Sequence, residues 1–109
     1  MNQITIEELQ EYMSNLNPPS QIYYEPKPHI SLNDNGDTLS VQAGNHSYST
    51  PRKNLYSGKY SHTEVGFPTI KPPKSWEDYC EDLDKPLNTV YSYVPIELVV
   101  EFINNERMK

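Results

Sequence analysis

Two groups of side chains in this chain have the types and spacing needed to bind charged ligands. The first is a basic loop within residues 48–60, where tyrosine rings that can stack on bases alternate with cationic groups that can contact phosphates. We call it the basic tyrosine loop, and its members are Tyr48, Arg52, Lys53, Tyr56, Lys59 and Tyr60. This combination is typical of single-strand RNA or nucleotide recognition. The competing interpretation is an ordinary solvated loop.

The second group is an acidic segment that follows Trp76. It places five carboxylates within eight positions, namely Glu77, Asp78, Glu81, Asp82 and Asp84. Carboxylates held where phosphates would otherwise sit can occupy a basic groove on a nucleic-acid enzyme. The segment therefore predicts a surface that binds a partner protein, with a merely solvated helix and loop as the alternative.

The distribution of charge separates these two groups. The chain has a net charge of −6, yet residues 41–74 carry five bases and one acid. Both flanking regions, residues 1–40 and 75–109, are acidic. Because an acidic chain is repelled by nucleic acid, we expect any RNA contact to be local and to occur beside a protein.

Residues suited to catalysis or metal binding do not form a recognised motif. His29, His46 and His62 lack the spacing of a zinc site. Cys80 is followed by two acids, which is a poor setting for a nucleophilic thiolate. We therefore expect a protein that is not an enzyme, with no catalytic residue, metal or cofactor, and a small enzyme is the third hypothesis.

The size of the chain predicts a single domain, because 109 residues are close to what one core usually needs. No apolar run is long enough to cross a bilayer, so we expect no membrane contact. The single cysteine fits a reducing compartment. Together these features predict a soluble, intracellular protein.

The beginning of the chain predicts a helix and an extended segment. Thr5 and Glu8 have the spacing of a capping box, which predicts an N-terminal helix within residues 1–17. Four prolines then predict a strap over residues 18–28. Residues 29–109 are expected to form an α+β body.

Within this body, alternating apolar residues and β-branched residues predict three to four antiparallel strands. These patterns fall in residues 30–32, 39–43, 61–67 and 89–94. The turn-forming residues 33–37 join the first two into a hairpin. The predicted fold class is α+β, with a small antiparallel sheet packed against three helices.

The other two helices are predicted in the second half. Ser75 and Asp78 have capping-box spacing and predict a short middle helix. The last helix is expected to run from Ile96 to about Asn105. Leu98 and Phe102 widen its apolar stripe, which indicates either a deeply seated helix or a homodimer contact.

Four stretches together resemble uncharacterised small proteins of phages and mobile elements of Gram-positive bacteria. They are residues 41–43, 48–52, 60–68 and 91–99, and the resemblance covers roughly residues 38–103. It implies a setting and no site residues. Small acidic proteins of such elements are often inhibitors of host defence, including anti-CRISPR proteins.

This setting implies an anti-CRISPR inhibitor that acts by stoichiometric binding in the cytoplasm of the bacterial host. The implied partner is a host defence protein, a Cas9-type nuclease or its guide-loaded complex. The contact surface would be either the basic tyrosine loop or the acidic segment. The alternative hypothesis is a protein that sequesters a signalling nucleotide of a defence system, with Arg52 and the tyrosines as its ligands.

Overall fold

The computed structural model describes residues 2–15, 29–53, 55 and 59–109. Its elements are α1 (Ile6–Asn15), β1 (Ile30–Ser31), β2 (Thr38–Gln42), β3 (His62–Gly66), a 3₁₀-helix (Lys74–Tyr79), β4 (Val90–Pro95) and α2 (Ile96–Arg107). The predicted α+β class is confirmed. The proline-rich strap predicted for residues 18–28 lies outside the described residues.

Helix α1 begins with the capping box that its sequence predicts. The Glu8 amide donates to Thr5 Oγ1 at 3.1 Å, and the Thr5 amide donates to Glu8 Oε1 at 3.1 Å. These two bonds satisfy amide groups that have no partner within the helix. Leu9 and Met13, which lie one turn apart, are buried, so the face of the helix that carries them packs against the core.

The four strands form one antiparallel sheet in the order β1-β2-β3-β4. Each strand pairs with its neighbour in sequence, so the sheet is a meander. The predicted hairpin is confirmed, with Ile30 opposite Leu39. Strand β3 lies between β2 and β4, and its Val65 is fully buried.

The turn between β1 and β2 is closed by hydrogen bonds to side chains. Asn33 Nδ2 and Thr69 Oγ1 donate to the two carboxylate oxygens of Asp37, each at 2.8 Å. Asn33 Oδ1 also accepts the amides of Asn35 and Asp37. Because the side-chain bonds favour the ionised form, they lower the pKa of Asp37 below its ordinary value of 3.8.

The predicted short middle helix is confirmed, whereas the capping box predicted at Ser75 and Asp78 was wrong. Residues Lys74–Tyr79 form a 3₁₀-helix, and the residue that precedes it, Pro73, is extended and makes no side-chain capping bond. Packing holds this element instead. Trp76 is 1% exposed, and its ring centre lies 5.7 Å from that of Tyr91 and 5.2 Å from that of Phe102.

This packing also explains the wide apolar stripe of α2. Phe102 is buried against Trp76, so it belongs to the core and supports the deeply seated helix. The C-terminal half of α2 also binds the start of the chain. Asn104 exchanges hydrogen bonds of 2.8 and 2.9 Å with the backbone of Ile4. The Arg107 guanidinium donates to the carbonyls of Ser31 and Asn2.

The core lies where the sheet meets α1, α2 and the 3₁₀-helix. Its largest fully buried side chains are Trp76, Tyr60, Leu9, Met13, Leu32, Leu39, Ile96 and Ile103. Within the described ranges, no helix has the length and apolar character needed to cross a membrane.

The packing of Trp76 predicts a large effect of its removal. Trp76→Ala is expected to lower the free energy of unfolding by about 3–5 kcal/mol, because it leaves a cavity beneath the 3₁₀-helix. Trp76→Phe retains part of the ring contact and is expected to cost less. Urea denaturation followed by circular dichroism measures both, and equal losses would contradict this account.

The bonds to Asp37 predict a dependence of stability on pH. Since the folded-state pKa lies below the unfolded one, the ionised carboxylate stabilises the fold above the unfolded pKa. This stabilisation is lost as the pH falls through the folded pKa. Asp37→Asn is therefore expected to be less stable at neutral pH and to lose less stability in acid.

Urea denaturation over a pH series tests this expectation, with Asp34→Asn as the control. Asp34 is an exposed carboxylate in the same turn. If Asp34→Asn reduces the loss of stability at low pH as much as Asp37→Asn does, the hydrogen bonds to Asp37 are not the cause of that loss.

Candidate functional site

The structure divides the members of the basic tyrosine loop between surface and core. Tyr48 is 39% exposed, and the Arg52 guanidinium carbon lies 4.9 Å from the centre of its ring. Lys53 and Lys59 are exposed. Tyr56 lies outside the described residues.

Tyr60 corrects the prediction of a stacking surface. It is fully buried, so its ring has no face free for a base. Its hydroxyl donates to the Lys53 carbonyl and accepts the Leu55 amide, both at 2.7 Å. Tyr60 therefore holds this loop against the core and does not contact a ligand.

The acidic segment is an exposed surface that is attached to the sheet. All five of its carboxylate residues are exposed. Within the part of the chain that the structure describes, the one salt bridge joins Lys109 and Glu106, so none of the five is paired with a cation. The Glu81 amide donates to the Val90 carbonyl at 3.0 Å, which attaches the segment to β4.

The two predicted surfaces meet in one groove of about 470 Å³. We call it the tyrosine groove, and it is lined by Tyr48, Asp78, Tyr79, Glu81, Ser92 and Tyr93. Tyr48 comes from the basic tyrosine loop and the two acids come from the acidic segment. The tertiary structure thus joins two regions that the sequence treats as separate alternatives.

A β-bulge in β4 shapes this groove. Ser92 and Tyr93 together lie opposite the single residue Glu64 of β3. Tyr91 and Tyr93 would share one face of a regular strand, yet Tyr91 is 2% exposed and Tyr93 is 42% exposed. The bulge turns the Tyr93 side chain outward, with φ at 55° in the left-handed region that side chains rarely adopt.

A buried carboxylate holds the two exposed tyrosines in place. Glu64 is 8% exposed and accepts hydrogen bonds from Gln42 Nε2 at 2.5 Å and from the Tyr48 amide at 3.2 Å. The Tyr48 carbonyl in turn accepts the Tyr93 amide at 3.0 Å. The two rings lie 5.9 Å apart, centre to centre, at 43°.

Sequence reasoning missed four residues of this site. Tyr79 is half-buried against the core, and no sequence signal marks the part of it that lines the groove, while Ser92 and Tyr93 fall in a pattern that predicts a regular strand. The one signal for Glu64 was a charged residue between Thr63 and Val65, at the centre of an otherwise uncharged strand. No local signal marks the bulge, because it arises from the mismatch between β3 and β4.

The groove combines aromatic faces with carboxylates, and this composition decides which ligands it attracts. Ring faces and carboxylates both attract cations, whereas carboxylates repel phosphates. Among the described residues, no group of three or more histidine, cysteine, aspartate or glutamate side chains is arranged to hold a metal ion. The groove therefore suits an organic cation better than a nucleotide.

Comparisons of the chain with known protein families, with curated proteins and with solved structures find no match. The function must therefore be argued from the geometry of these surfaces.

The hydrogen bonds to Glu64 predict that replacing this residue loosens the contact between the rings of Tyr48 and Tyr93. Glu64→Ala removes the acceptor of the part-buried Tyr48 amide and of Gln42 Nε2, and this should cost about 1–3 kcal/mol of stability. Contacts between the two rings, measured by NMR as nuclear Overhauser effects, should weaken. Glu64→Gln retains an acceptor oxygen and should preserve them, and loss of these contacts in Glu64→Gln alone would contradict the role assigned to this residue.

Proposed function

We propose that this chain is an anti-defence protein of a phage or mobile element that inhibits a Cas9-type nuclease, or its guide-loaded complex, by stoichiometric binding. Such a target places it in the cytoplasm of the bacterial host. The observation that carries the proposal is the acidic segment, whose five exposed carboxylates have no cationic partner among the described residues. The resemblance to mobile-element proteins supplies the setting.

Electrostatics connects the acidic segment to this class of target. A nuclease of this type holds its nucleic acid in a positively charged channel. Carboxylates that are not neutralised within their own chain remain available to such a channel, and they also speed the encounter through long-range attraction. The same argument makes the interaction sensitive to salt.

Anchoring of the segment favours binding as well. Trp76 is buried between Tyr91 and Phe102, and the Tyr91 hydroxyl donates to the Pro86 carbonyl at 2.8 Å. The carboxylates are thus presented from a surface that is already ordered. A preorganised surface loses less conformational entropy on association than a flexible one.

Nucleotide sequestration remains the second candidate, favoured by the Arg52 guanidinium beside the exposed Tyr48 ring. Two observations weaken it. Tyr60 is buried, and Asp78 and Glu81 line the groove beside Tyr48 and repel phosphate. Binding through the acidic segment is therefore the function that the geometry supports better.

Charge reversal distinguishes the two surfaces. In a DNA cleavage assay with a purified, guide-loaded Cas9-type nuclease, the chain is expected to inhibit fully near an equimolar ratio. Asp82→Lys with Asp84→Lys should weaken inhibition at least about 100-fold, because two attractions become repulsions. Arg52→Glu with Lys53→Glu should keep or strengthen inhibition, since it removes positive charge that opposes a basic target.

Glu97→Lys with Glu101→Lys is the matched control, because it makes the same change of charge on the exposed face of α2. It is expected to retain inhibition, and circular dichroism shows whether each variant is folded. Absence of inhibition by the unmodified chain in large molar excess would overturn the proposal. Loss of inhibition only in the Arg52 and Lys53 variant would assign the contact to the basic tyrosine loop and to RNA.

A further inference from the structure

We infer that the tyrosine groove is a receptor for one arginine side chain of the partner protein. The identity of that partner rests on the proposed function, whereas the chemistry of the groove stands on its own residues. An arginine is selected by three features of the lining: aromatic faces, carboxylates and a hydroxyl that lacks a hydrogen bond.

The aromatic faces come from Tyr48, Tyr79 and Tyr93. Aromatic rings are negative on their faces, and the planar guanidinium of arginine stacks on them. The chain contains an example of this contact in Arg52, which lies over the ring of Tyr48. A guanidinium therefore fits a surface built from these side chains.

The carboxylates are those of Asp78 and Glu81, which line the same groove. Both are exposed, and neither forms an ion pair with another described residue. Carboxylates match the fork of N–H donors on a guanidinium and form paired, charge-assisted hydrogen bonds with it. The ammonium group of lysine is a strongly hydrated point charge, so it gains less binding energy from aromatic rings than the planar guanidinium does.

The hydroxyl is that of Ser92. Its Oγ is buried and has no hydrogen-bond partner in the described structure, and Ser92 lines the groove at the bulge. A buried polar atom without a partner costs free energy, which a ligand can recover by supplying one. An arginine reaches this oxygen once the Ser92 side chain turns toward the groove, and one of the five N–H donors of guanidinium remains for it after the carboxylates are satisfied.

The charge of Arg52 allows a test, because its removal should change cation binding and phosphate binding in opposite directions. Its positive charge lies at the edge of the groove, on the ring of Tyr48. Removing this charge should strengthen the binding of a cation and weaken the binding of a phosphate. Neutralising Asp78 and Glu81 should weaken the binding of a cation and strengthen the binding of a phosphate.

The probe is the peptide acetyl-Gly-Arg-Gly-amide, titrated into the full ¹⁵N-labelled chain and followed by NMR. Saturable shifts are expected at the amides of Tyr48, Tyr79, Ser92 and Tyr93, with a dissociation constant on the order of 1 mM. The matched peptide has citrulline in place of arginine, which is neutral and of the same shape. It should bind at least about fivefold more weakly.

Variants test the roles of the lining. Asp78→Asn with Glu81→Gln should weaken arginine binding about five- to tenfold, and Arg52→Gln should strengthen it about two- to threefold. Glu97→Gln with Glu101→Gln is the control for net charge and should leave binding unchanged. If this control weakens arginine binding equally, the loss comes from the net charge of the whole chain and not from the groove, and the assignment is overturned.

A parallel titration with adenosine monophosphate decides between a basic protein and a nucleotide. Shifts of the groove residues with the nucleotide, together with weaker nucleotide binding in Arg52→Gln, would overturn the assignment in favour of a nucleotide site. Absence of shifts with the arginine peptide would also overturn it.

The cleavage assay separates this inference from the proposed function. If the arginine peptide binds and the nuclease is not inhibited, the groove assignment holds and the target is wrong. If the nuclease is inhibited and the peptide does not bind, the inhibitor proposal holds and the groove assignment fails.

Discussion

The exposed tyrosine pair of this protein depends on a buried carboxylate in the middle of its sheet. Glu64 lies on β3, accepts a hydrogen bond from Gln42 on β2 and accepts the amide of Tyr48 in the following loop. It also lies opposite the bulge of β4. A buried carboxylate needs hydrogen-bond donors to offset its loss of hydration, so the chain around it is constrained to supply them. The exposed tyrosine pair is positioned by this constraint.

The same arrangement explains how opposite charges come to share one site. The loop that carries Tyr48 crosses to β4, while the 3₁₀-helix is seated on β4 through Trp76 and Tyr91. One strand thus receives the basic tyrosine loop and the acidic segment, and its bulge places Tyr93 between them. The result is a groove with ring faces and carboxylates, bordered by a single guanidinium.

Much of the fold follows from local patterns. The capping box at Thr5, the hairpin turn at residues 33–37 and the periodicity of α2 each depend on residues close together in sequence, and the structure confirms them. The site was less predictable. Tyr48 and the acidic residues are marked by their types, but burial of Tyr60 depends on residues that fold over it, and the composition of a loop does not report burial.

The sequence by itself determined α1, the β1–β2 hairpin, the apolar stripe of α2 and the two charged regions, because capping, turn formation and apolar periodicity act over a few residues. Only the tertiary structure decided that the two regions form one groove. Pairing of β3 with β4 creates the bulge that turns Tyr93 outward, and packing of Trp76 brings Asp78 and Glu81 beside it. These are contacts between residues distant along the chain, and their geometry is set by the mutual fit of whole elements rather than by any local sequence pattern.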